Sequence, residues 1–181
     1  HIDPVTVKRV FACDETDRRL FMTILLSGMR KGEVEHLHWS DISFELGVIL
    51  IQEKPQWNWR PKTDERVIPM SPSLRAVLLE QHALRRHDGL VFPNKQGNLD
   101  IHILPKLKKV ARRAGLTYAT VHALRHSFGA HLRMAGVSLA DIADLLGHKD
   151  LQTTQIYAKV HQEHLRGAIA KLTPVVIDVT N

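Results

Sequence analysis

Residues 122–157 read HALRHSFGAHLRMAGVSLADIADLLGHKDLQTTQIY. Apolar residues recur here at helical spacing, at Leu124, Phe128, Leu132 and Ala135. Gly136 then predicts the end of this helix, because glycine readily adopts the left-handed conformation that closes helices. His122 and Arg125 are three residues apart, so they share a helix face that lies off the apolar stripe.

A second helix is predicted directly after Gly136. Ser138 is followed three residues later by Asp141, which is the spacing of an N-terminal cap. Gly147 predicts the end of this helix, and His148 follows it at once. Tyr157 lies nine residues further on. Short connections therefore gather imidazoles, cations and one tyrosine into a single part of the chain.

The motifs HALRH, LLGH and TTQIY resemble the catalytic signature of tyrosine recombinases, the phage integrase superfamily. An arginine motif is similar too, in LSGMRKGEVEHLHWSDI around Arg30, and a lysine motif fits more loosely, as Lys62 in RPKTDERVIPM. The resemblance extends over roughly residues 5–165. It implies a mixed α/β (α+β) fold, mostly helical with a small antiparallel sheet.

The resemblance also implies site-specific cleavage and rejoining of DNA through a 3′-phosphotyrosine, with no metal, ATP or other cofactor. Tyr157 is the nucleophile that it implies, and Glu33 would hold the site together by hydrogen bonds. Lys62 would protonate the departing 5′ oxygen. The remaining catalytic groups that it implies are Arg30, His122, Arg125 and His148.

These residue types suit that chemistry. Guanidinium groups are always charged and can bond a phosphate through two donors at once. Imidazoles titrate near neutrality, so His122 and His148 can donate hydrogen bonds or carry protons. A free tyrosine has a pKa of about 10, and neighbouring cations favour its anion.

The formal net charge is +6 and the sequence pI is about 9.7, as expected for a domain that contacts a polyphosphate backbone. The basic residues cluster at Lys106, Lys108, Lys109, Arg112 and Arg113. This helix is either a solvated face or a DNA-phosphate contact, and the recombinase signature favours the latter.

The single cysteine and the absence of a long apolar run fit a cytoplasmic, nucleoid-associated protein without a membrane partner.

Residues 47–51 and 66–70 are rich in β-branched side chains and predict an antiparallel sheet, with Lys62 near the turn before its last strand. The intervening segment KPQWNWRP is longer than the family pattern, so Lys54 remains an alternative functional lysine. Trp57 and Trp59 are interpreted either as hairpin packing or as a DNA-groove contact.

Residues 1–173 are predicted to form the catalytic domain of a fragment that lacks an N-terminal DNA-clamping domain. The resemblance implies a tetramer on paired double-stranded DNA sites, and this chain alone is expected to be a monomer or weak dimer. Residues 174–181 form a tail whose apolar part, 175–179, is expected to dock as a strand on the sheet. Backbone hydrogen exchange at residues 176–179 would test this docking.

Two other functional classes compete with the recombinase interpretation. Twelve histidines could indicate a metallohydrolase, but the sequence has no HExxH motif and no cysteine cluster. The two capped helices around Gly136 also resemble a helix-turn-helix, which would make the chain a non-catalytic DNA-binding domain. A pure binding module has no need for a full set of catalytic groups, so the recombinase interpretation is preferred.

Overall fold

The computed structural model describes residues 9–10, 15–117, 119–147, 167 and 169. The described residues form six α-helices and three short strands. The helices are α1 (Glu15–Ser27), α2 (Lys31–Glu35), α3 (Pro72–Ala83), α4 (Ile103–Arg113), α5 (Val121–Met134) and α6 (Leu139–Leu146). The strands are β1 (Ile42–Ser43), β2 (Val48–Ile51) and β3 (Arg66–Pro69). The predicted fold class, mostly helical with a small antiparallel sheet, is therefore confirmed.

Helix α1 is the central element of the core. Its apolar run is buried on all sides, and the helix packs against α3, α4 and α5. A helix that is apolar around its whole circumference is stable in water only when other elements surround it. The fully buried members of the run include Phe21, Met22, Ile24, Leu25 and Leu26.

The three strands form one antiparallel sheet in the order β1-β2-β3. Ile49 on β2 lies opposite Ile68 on β3, and both are fully buried. The sequence had predicted β2 and β3 but not β1, which is only two residues long. Residues 52–65 connect β2 to β3 and carry both candidate lysines. The tail at 174–181 and the strand predicted within it lie outside the described residues.

The predicted helix ends are present around α5 and α6. The Thr120 hydroxyl accepts a hydrogen bond from the backbone nitrogen of Ala123 at 3.1 Å. The Ser138 hydroxyl does the same for Asp141 at 3.1 Å. These contacts satisfy amide groups that have no partner within the helix. The two helices then enclose a second apolar cluster that includes Phe128, Leu132, Ile142, Leu145 and Leu146.

Gly28 ends α1 in a left-handed conformation, with φ of +64°, and it sits against α5. A Cβ at this position would lie 2.5 Å from Cδ1 of Phe128, which is far inside van der Waals contact. Only glycine therefore allows α1 to stop here and the chain to turn directly to Arg30.

We predict that Gly28→Ala destabilises the fold by about 2–5 kcal/mol, since it combines an unfavourable backbone conformation with overpacking of the core. Gly47→Ala is the matched control, because Gly47 has a similar φ of +66° but open space around a Cβ. It should cost only about 1–2 kcal/mol. Urea unfolding of both variants measures the difference, and equal losses would contradict the steric explanation.

Candidate active site

Arg30 is delivered by the turn between α1 and α2. Its extended backbone caps α2, and its amide donates to Oε2 of Glu33 at 2.8 Å. Its side chain donates from Nη1 to Oε1 of Glu33 at 3.0 Å and to Oγ1 of Thr63 at 3.1 Å. Nη2 donates to the carbonyl of Gly147 at 2.7 Å. The spacing of arginine and glutamate in the motif is therefore the spacing of a capping interaction at a helix N-terminus.

Arg125 reaches the same place from α5 and is 8% exposed. Its Nη1 donates to the carbonyl of Gly28 at 2.6 Å, and its Nη2 donates to the carbonyl of Leu146. Burial, together with the positive charges of Arg30 and Arg66, lowers the pKa of Arg125 to about 10. The guanidinium stays protonated at neutral pH, but its charge is unfavourably placed until an anion approaches.

Glu33 is the carboxylate on which these cations converge, and it is 3% exposed. Burial alone would raise its pKa. The hydrogen bonds and charge of Arg66, followed by the bonds from Arg30, outweigh burial and hold the pKa at about 2. The carboxylate is therefore ionised throughout the physiological range, and it accepts hydrogen bonds from both the backbone and the side chain of Arg30.

Arg66 is the group that the sequence analysis missed. It opens β3, is 5% exposed, and donates from Nη1 and Nη2 to the two oxygens of Glu33 at 2.7 and 2.8 Å. Its Nε donates to the carbonyl of Leu145 at 3.2 Å. Only a weak signal in the sequence could have found it, namely an arginine at the start of an apolar strand.

Three arginines together hold the C-terminal end of α6. The last carbonyls of a helix have no partner within it, and they carry the negative end of the helix dipole. Here three consecutive carbonyls each accept from a different guanidinium: Leu145 from Arg66, Leu146 from Arg125 and Gly147 from Arg30. Gly147 is left-handed, with φ of +64°, and a Cβ there would lie 3.1 Å from Arg66 and from Thr63. The chain leads from this point into His148.

His122 lies on the exposed side of α5, one turn before Arg125. Its Nε2 is 2.8 Å from Nε2 of His126, and the two rings meet edge to face. One of the two nitrogens must donate and the other accept, so at least one imidazole of the pair is neutral in this arrangement. His126 is thus a direct partner of His122 that the sequence analysis had not singled out for this purpose.

The two candidate lysines occupy different environments. Lys54 is 6% exposed, and its ammonium forms an ion pair with the buried carboxylate of Asp41. Lys62 is exposed and directly precedes Thr63, whose hydroxyl contacts Arg30. Of the two, Lys62 is therefore the lysine that an incoming ligand can reach next to the arginines.

Trp57 and Trp59, which lie between β2 and β3, also differ in how much of each side chain is exposed. Trp59 stacks on His36, with ring centroids 4.6 Å apart and planes 9° apart, and it lies close against Gly32 of α2. Trp57 is 37% exposed and touches the edge of His36. Hairpin packing accounts for Trp59, whereas Trp57 leaves part of its ring available to a ligand.

The five basic residues of the predicted DNA surface lie on α4, with Arg112 and Arg113 in its last turn. Lys106 forms an ion pair with Asp100, and Lys109 forms one with Asp17 at 3.1 Å. Lys108, Lys109, Arg112 and Arg113 are exposed. Ion pairs near a surface are weak, so a phosphate can compete for Lys109, whereas Lys106 is paired with the buried carboxylate of Asp100.

The structure describes only part of the candidate site. Arg30, Glu33 and Arg125 are brought together with Arg66, and Lys62 and His122 lie on accessible surfaces. His148 and Tyr157 lie outside the described residues. Within the part of the chain that is described, no group of three or more histidine, cysteine, aspartate or glutamate residues could hold a metal ion. None of the helices described here has the length and apolar character that crossing a membrane requires.

We predict that Glu33→Gln lowers stability by about 3 kcal/mol near neutral pH. The folded-state pKa of about 2 lies below the ordinary value of 4.5, so the ionised carboxylate stabilises the fold fully above pH 4.5. This contribution disappears as the pH falls toward 2, and the variant and the natural protein should then converge. Urea unfolding from pH 7 to pH 3 measures the trend.

Glu80→Gln provides the control for this measurement, because Glu80 forms an ion pair with Arg18 while its own side chain is 48% exposed. It should cost less than about 1 kcal/mol at any pH. A Glu33→Gln deficit that does not change with pH would rule out the ionic explanation.

Comparison with known proteins identifies the family. Residues 4–164 match the model of the phage integrase family. Tyrosine recombinase XerA of Pyrococcus horikoshii is 34% identical over 174 residues, covering 91% of this chain and 58% of that protein. Tyrosine recombinase XerC of Oceanobacillus iheyensis is 31% identical, covering 88% of this chain and 54% of that protein. The chain thus spans a little over half the length of these relatives.

Solved structures share the fold. The integrase of mycobacterium phage Brujita superposes with a TM-score of 0.78 at 21% identity, over 99% of this chain and 60% of that one. The XerH recombinase bound to its difH substrate superposes with a TM-score of 0.64 at 23% identity, over 88% of this chain and 50% of that one. From the family match, the arginine cluster and the shared fold, we conclude that this chain belongs to the phage integrase family, the tyrosine recombinases.

Proposed function

We propose that this domain cleaves and rejoins double-stranded DNA at specific sites, with Tyr157 as the nucleophile and a 3′-phosphotyrosine as the intermediate. The observation that carries the proposal is the buried cluster of Arg30, Arg66 and Arg125 around the single carboxylate of Glu33. The relatives and the solved structures named above are recombinases and integrases, which supports the same assignment.

The charge of the cluster favours a phosphate. Three guanidinium groups and one carboxylate leave two uncompensated positive charges in a largely buried place. A phosphodiester carries one negative charge, and more develops on its oxygens as a nucleophile attacks. Cations that are already in place stabilise that change without reorganisation. The pKa of Arg125 is lowered first by burial and then by the positive charges of Arg30 and Arg66, which are crowded there until an anion arrives.

Cleavage exchanges a phosphodiester bond of the DNA for a bond between phosphorus and Tyr157. The phenolic oxygen of Tyr157 attacks phosphorus, and its proton passes to His122 or His148. The bond from phosphorus to the 5′ oxygen breaks, and the ammonium of Lys62 protonates the departing oxygen. Rejoining runs the same steps in reverse, with the 5′ hydroxyl attacking the phosphotyrosine. Because the phosphodiester is exchanged for a phosphotyrosine ester, no ATP is needed.

Surface contacts would hold the DNA across this site. The exposed basic groups of α4, including Lys108, Arg112 and Arg113, suit the phosphate backbone. Such contacts orient a duplex but carry little sequence information. We propose that α4 positions the DNA, while sequence is read elsewhere, including the part of the relatives' length that this chain does not span.

Assembly and location follow from the same function. Exchange of strands between two sites needs four cleavages, so we propose a tetramer on paired sites, built by a protein that acts at the nucleoid in the cytoplasm. The residues 1–173 would serve as its catalytic domain, combined with an N-terminal domain that clamps the DNA. A non-catalytic binding domain is the competing function, and the experiment below separates the two.

We predict that the full chain forms a covalent adduct with the 3′ end of a nicked duplex that it has selected from a random-sequence pool. Tyr157→Phe should abolish the adduct, because phenylalanine lacks the attacking oxygen. Tyr118→Phe is the matched control, since Tyr118 is the other tyrosine of the chain, and it should retain the adduct. Denaturing gels of the reactions measure both.

An adduct that survives in Tyr157→Phe would assign the nucleophile elsewhere. Tight DNA binding with no adduct from the natural protein would support the binding-domain alternative.

We also predict that adduct formation continues at an unchanged rate in excess EDTA. The fixed arginines supply the charge that Mg²⁺ or Zn²⁺ supplies in metal-dependent nucleases. The same gel assay, with and without chelator, gives the rate directly. Loss of cleavage in EDTA with recovery on adding one divalent ion would show that the arginine cluster is insufficient.

A further inference from the structure

We propose that Arg66 is a positioning residue for DNA cleavage, which holds both the phosphate-binding arginine Arg30 and the C-terminal end of α6 in their working places. The inference rests on the proposed function and adds to it a residue outside the set that the signature motifs indicated. Arg66 lies only four residues after the exposed Lys62, yet it is only 5% exposed.

Three of the five N–H donors of Arg66 are bound inside the protein. Nη1 and Nη2 donate to separate oxygens of Glu33 at 2.7 and 2.8 Å, and Nε donates to the carbonyl of Leu145 at 3.2 Å. A planar fork of this kind fits a carboxylate through two parallel bonds. The side chain of Arg66 is only 3% exposed, against 22% for that of Arg30, so Arg66 is poorly suited to contact the phosphate itself.

The effect on Arg30 passes through Glu33. Both oxygens of this carboxylate accept from Arg66, and both also accept from Arg30, one from its backbone amide and one from its side chain. Arg66 thereby fixes the orientation of the carboxylate, and the carboxylate fixes Arg30. Loss of Arg66 would leave a buried carboxylate with a single cationic partner.

The effect on α6 is direct. Arg66 takes the first of the three consecutive carbonyls that end this helix, and its side chain packs against Gly147. Residues 145–147 lead into His148, so a shift of this turn would move the start of that segment. A displacement of about 1 Å in a catalytic group can cost roughly 100-fold in rate.

Arg66 also joins three regions that are far apart in the sequence. It belongs to the strand after the Lys62 turn, it bonds to the helix that follows Arg30, and it bonds to the helix that precedes His148. A lysine could not replace it, because one ammonium on a flexible stem cannot make the two parallel bonds and the third bond together.

The test compares Arg66→Met, Arg66→Lys and Arg19→Met with the natural protein in single-turnover cleavage of the selected nicked duplex. Arg19 is the matched control, because it is also a buried arginine, 3% exposed, and its Nε bonds to Gln81 at 2.7 Å, away from the cluster. At saturating protein, Arg66→Met should cleave roughly 10- to 100-fold more slowly. Its DNA dissociation constant should stay within about twofold, because positioning affects the cleavage step more than the binding of the duplex.

The pH profile gives a readout that loss of stability alone would not change. In the natural protein Glu33 stays ionised far below pH 5, so it contributes no acid limb to the rate. Burial raises the pKa of Glu33, and without Arg66 only the hydrogen bonds from Arg30 would counteract it. The pKa of Glu33 should therefore rise in the variant. Cleavage by Arg66→Met should therefore fall further as the pH is lowered from 8 to 5. Arg66→Lys retains a positive charge and should show a smaller loss and a weaker acid limb.

Three different results of the cleavage and binding measurements would overturn the inference. If Arg66→Met cleaves DNA at the same rate and with the same pH profile as the natural protein, Arg66 has no part in positioning. A weaker dissociation constant with an unchanged saturating rate would make Arg66 a DNA contact. Equal rate losses in Arg66→Met and Arg19→Met, in proportion to their unfolded fractions, would make it a stability residue.

Hydrogen exchange separates this inference from the proposed function. Arg66→Met should accelerate exchange of the amides of residues 143–147, while Arg19→Met should not, whether or not the DNA is cleaved. Absence of any adduct with the natural protein would refute the proposed function, and with it the catalytic part of the inference. Unaltered exchange at 143–147 alongside normal cleavage by the natural protein would refute the inference alone.

Discussion

The structure of the site depends on one buried carboxylate. Glu33 is 3% exposed and accepts hydrogen bonds from Arg30 and Arg66. Burial, together with the positive charges of these two arginines, lowers the pKa of the nearby Arg125 to about 10. Arginines gathered in this way repel one another, and burial increases the repulsion. The negative charge of the carboxylate offsets part of this repulsion, and the rest of the repulsion remains. A cluster that is stable enough to form, but still short of negative charge, is a site prepared for an anion.

The second constraint is the end of a helix. The final carbonyls of α6 need donors, and the dipole of the helix favours cations there. Three guanidinium groups meet that need, one on each of three consecutive carbonyls. Arg30, Arg66 and Arg125 are thus held by the backbone at the end of α6. This arrangement couples the position of the cations to the position of that helix end.

Two glycines make the arrangement sterically feasible. Gly28 stops the central helix where a Cβ would collide with Phe128, and Gly147 stops α6 where a Cβ would crowd Arg66 and Thr63. Both residues have positive φ, so both the space and the backbone conformation require glycine. The ends of α1 and α6 therefore lie beside the same arginines, with Arg125 bonded to both ends and Arg30 bonded to Gly147.

Local physical chemistry let the sequence alone determine much of this protein. The caps at Thr120 and Ser138, the left-handed turns at Gly136 and Gly147, and the β-branched strands all depend on neighbours within a few residues. The arginine and glutamate three residues apart in the Arg30 motif form the same kind of short-range contact. The resemblance to tyrosine recombinases rested on such local motifs, and it led to the correct family and fold class.

Only the tertiary structure decided which distant groups meet. Arg66 reads as one residue of an apolar strand, yet it is paired with Glu33, from a segment far away in the sequence. Lys54 and Lys62 could not be separated by pattern, because the ion pair of Lys54 with Asp41 depends on how the chain folds back on itself. The short strand β1 lacked a local signal, since its partner in β2 creates it. Caps and periodicity act over a few residues, whereas burial and ion pairing depend on the whole fold, and that difference in range sets what the sequence by itself could determine.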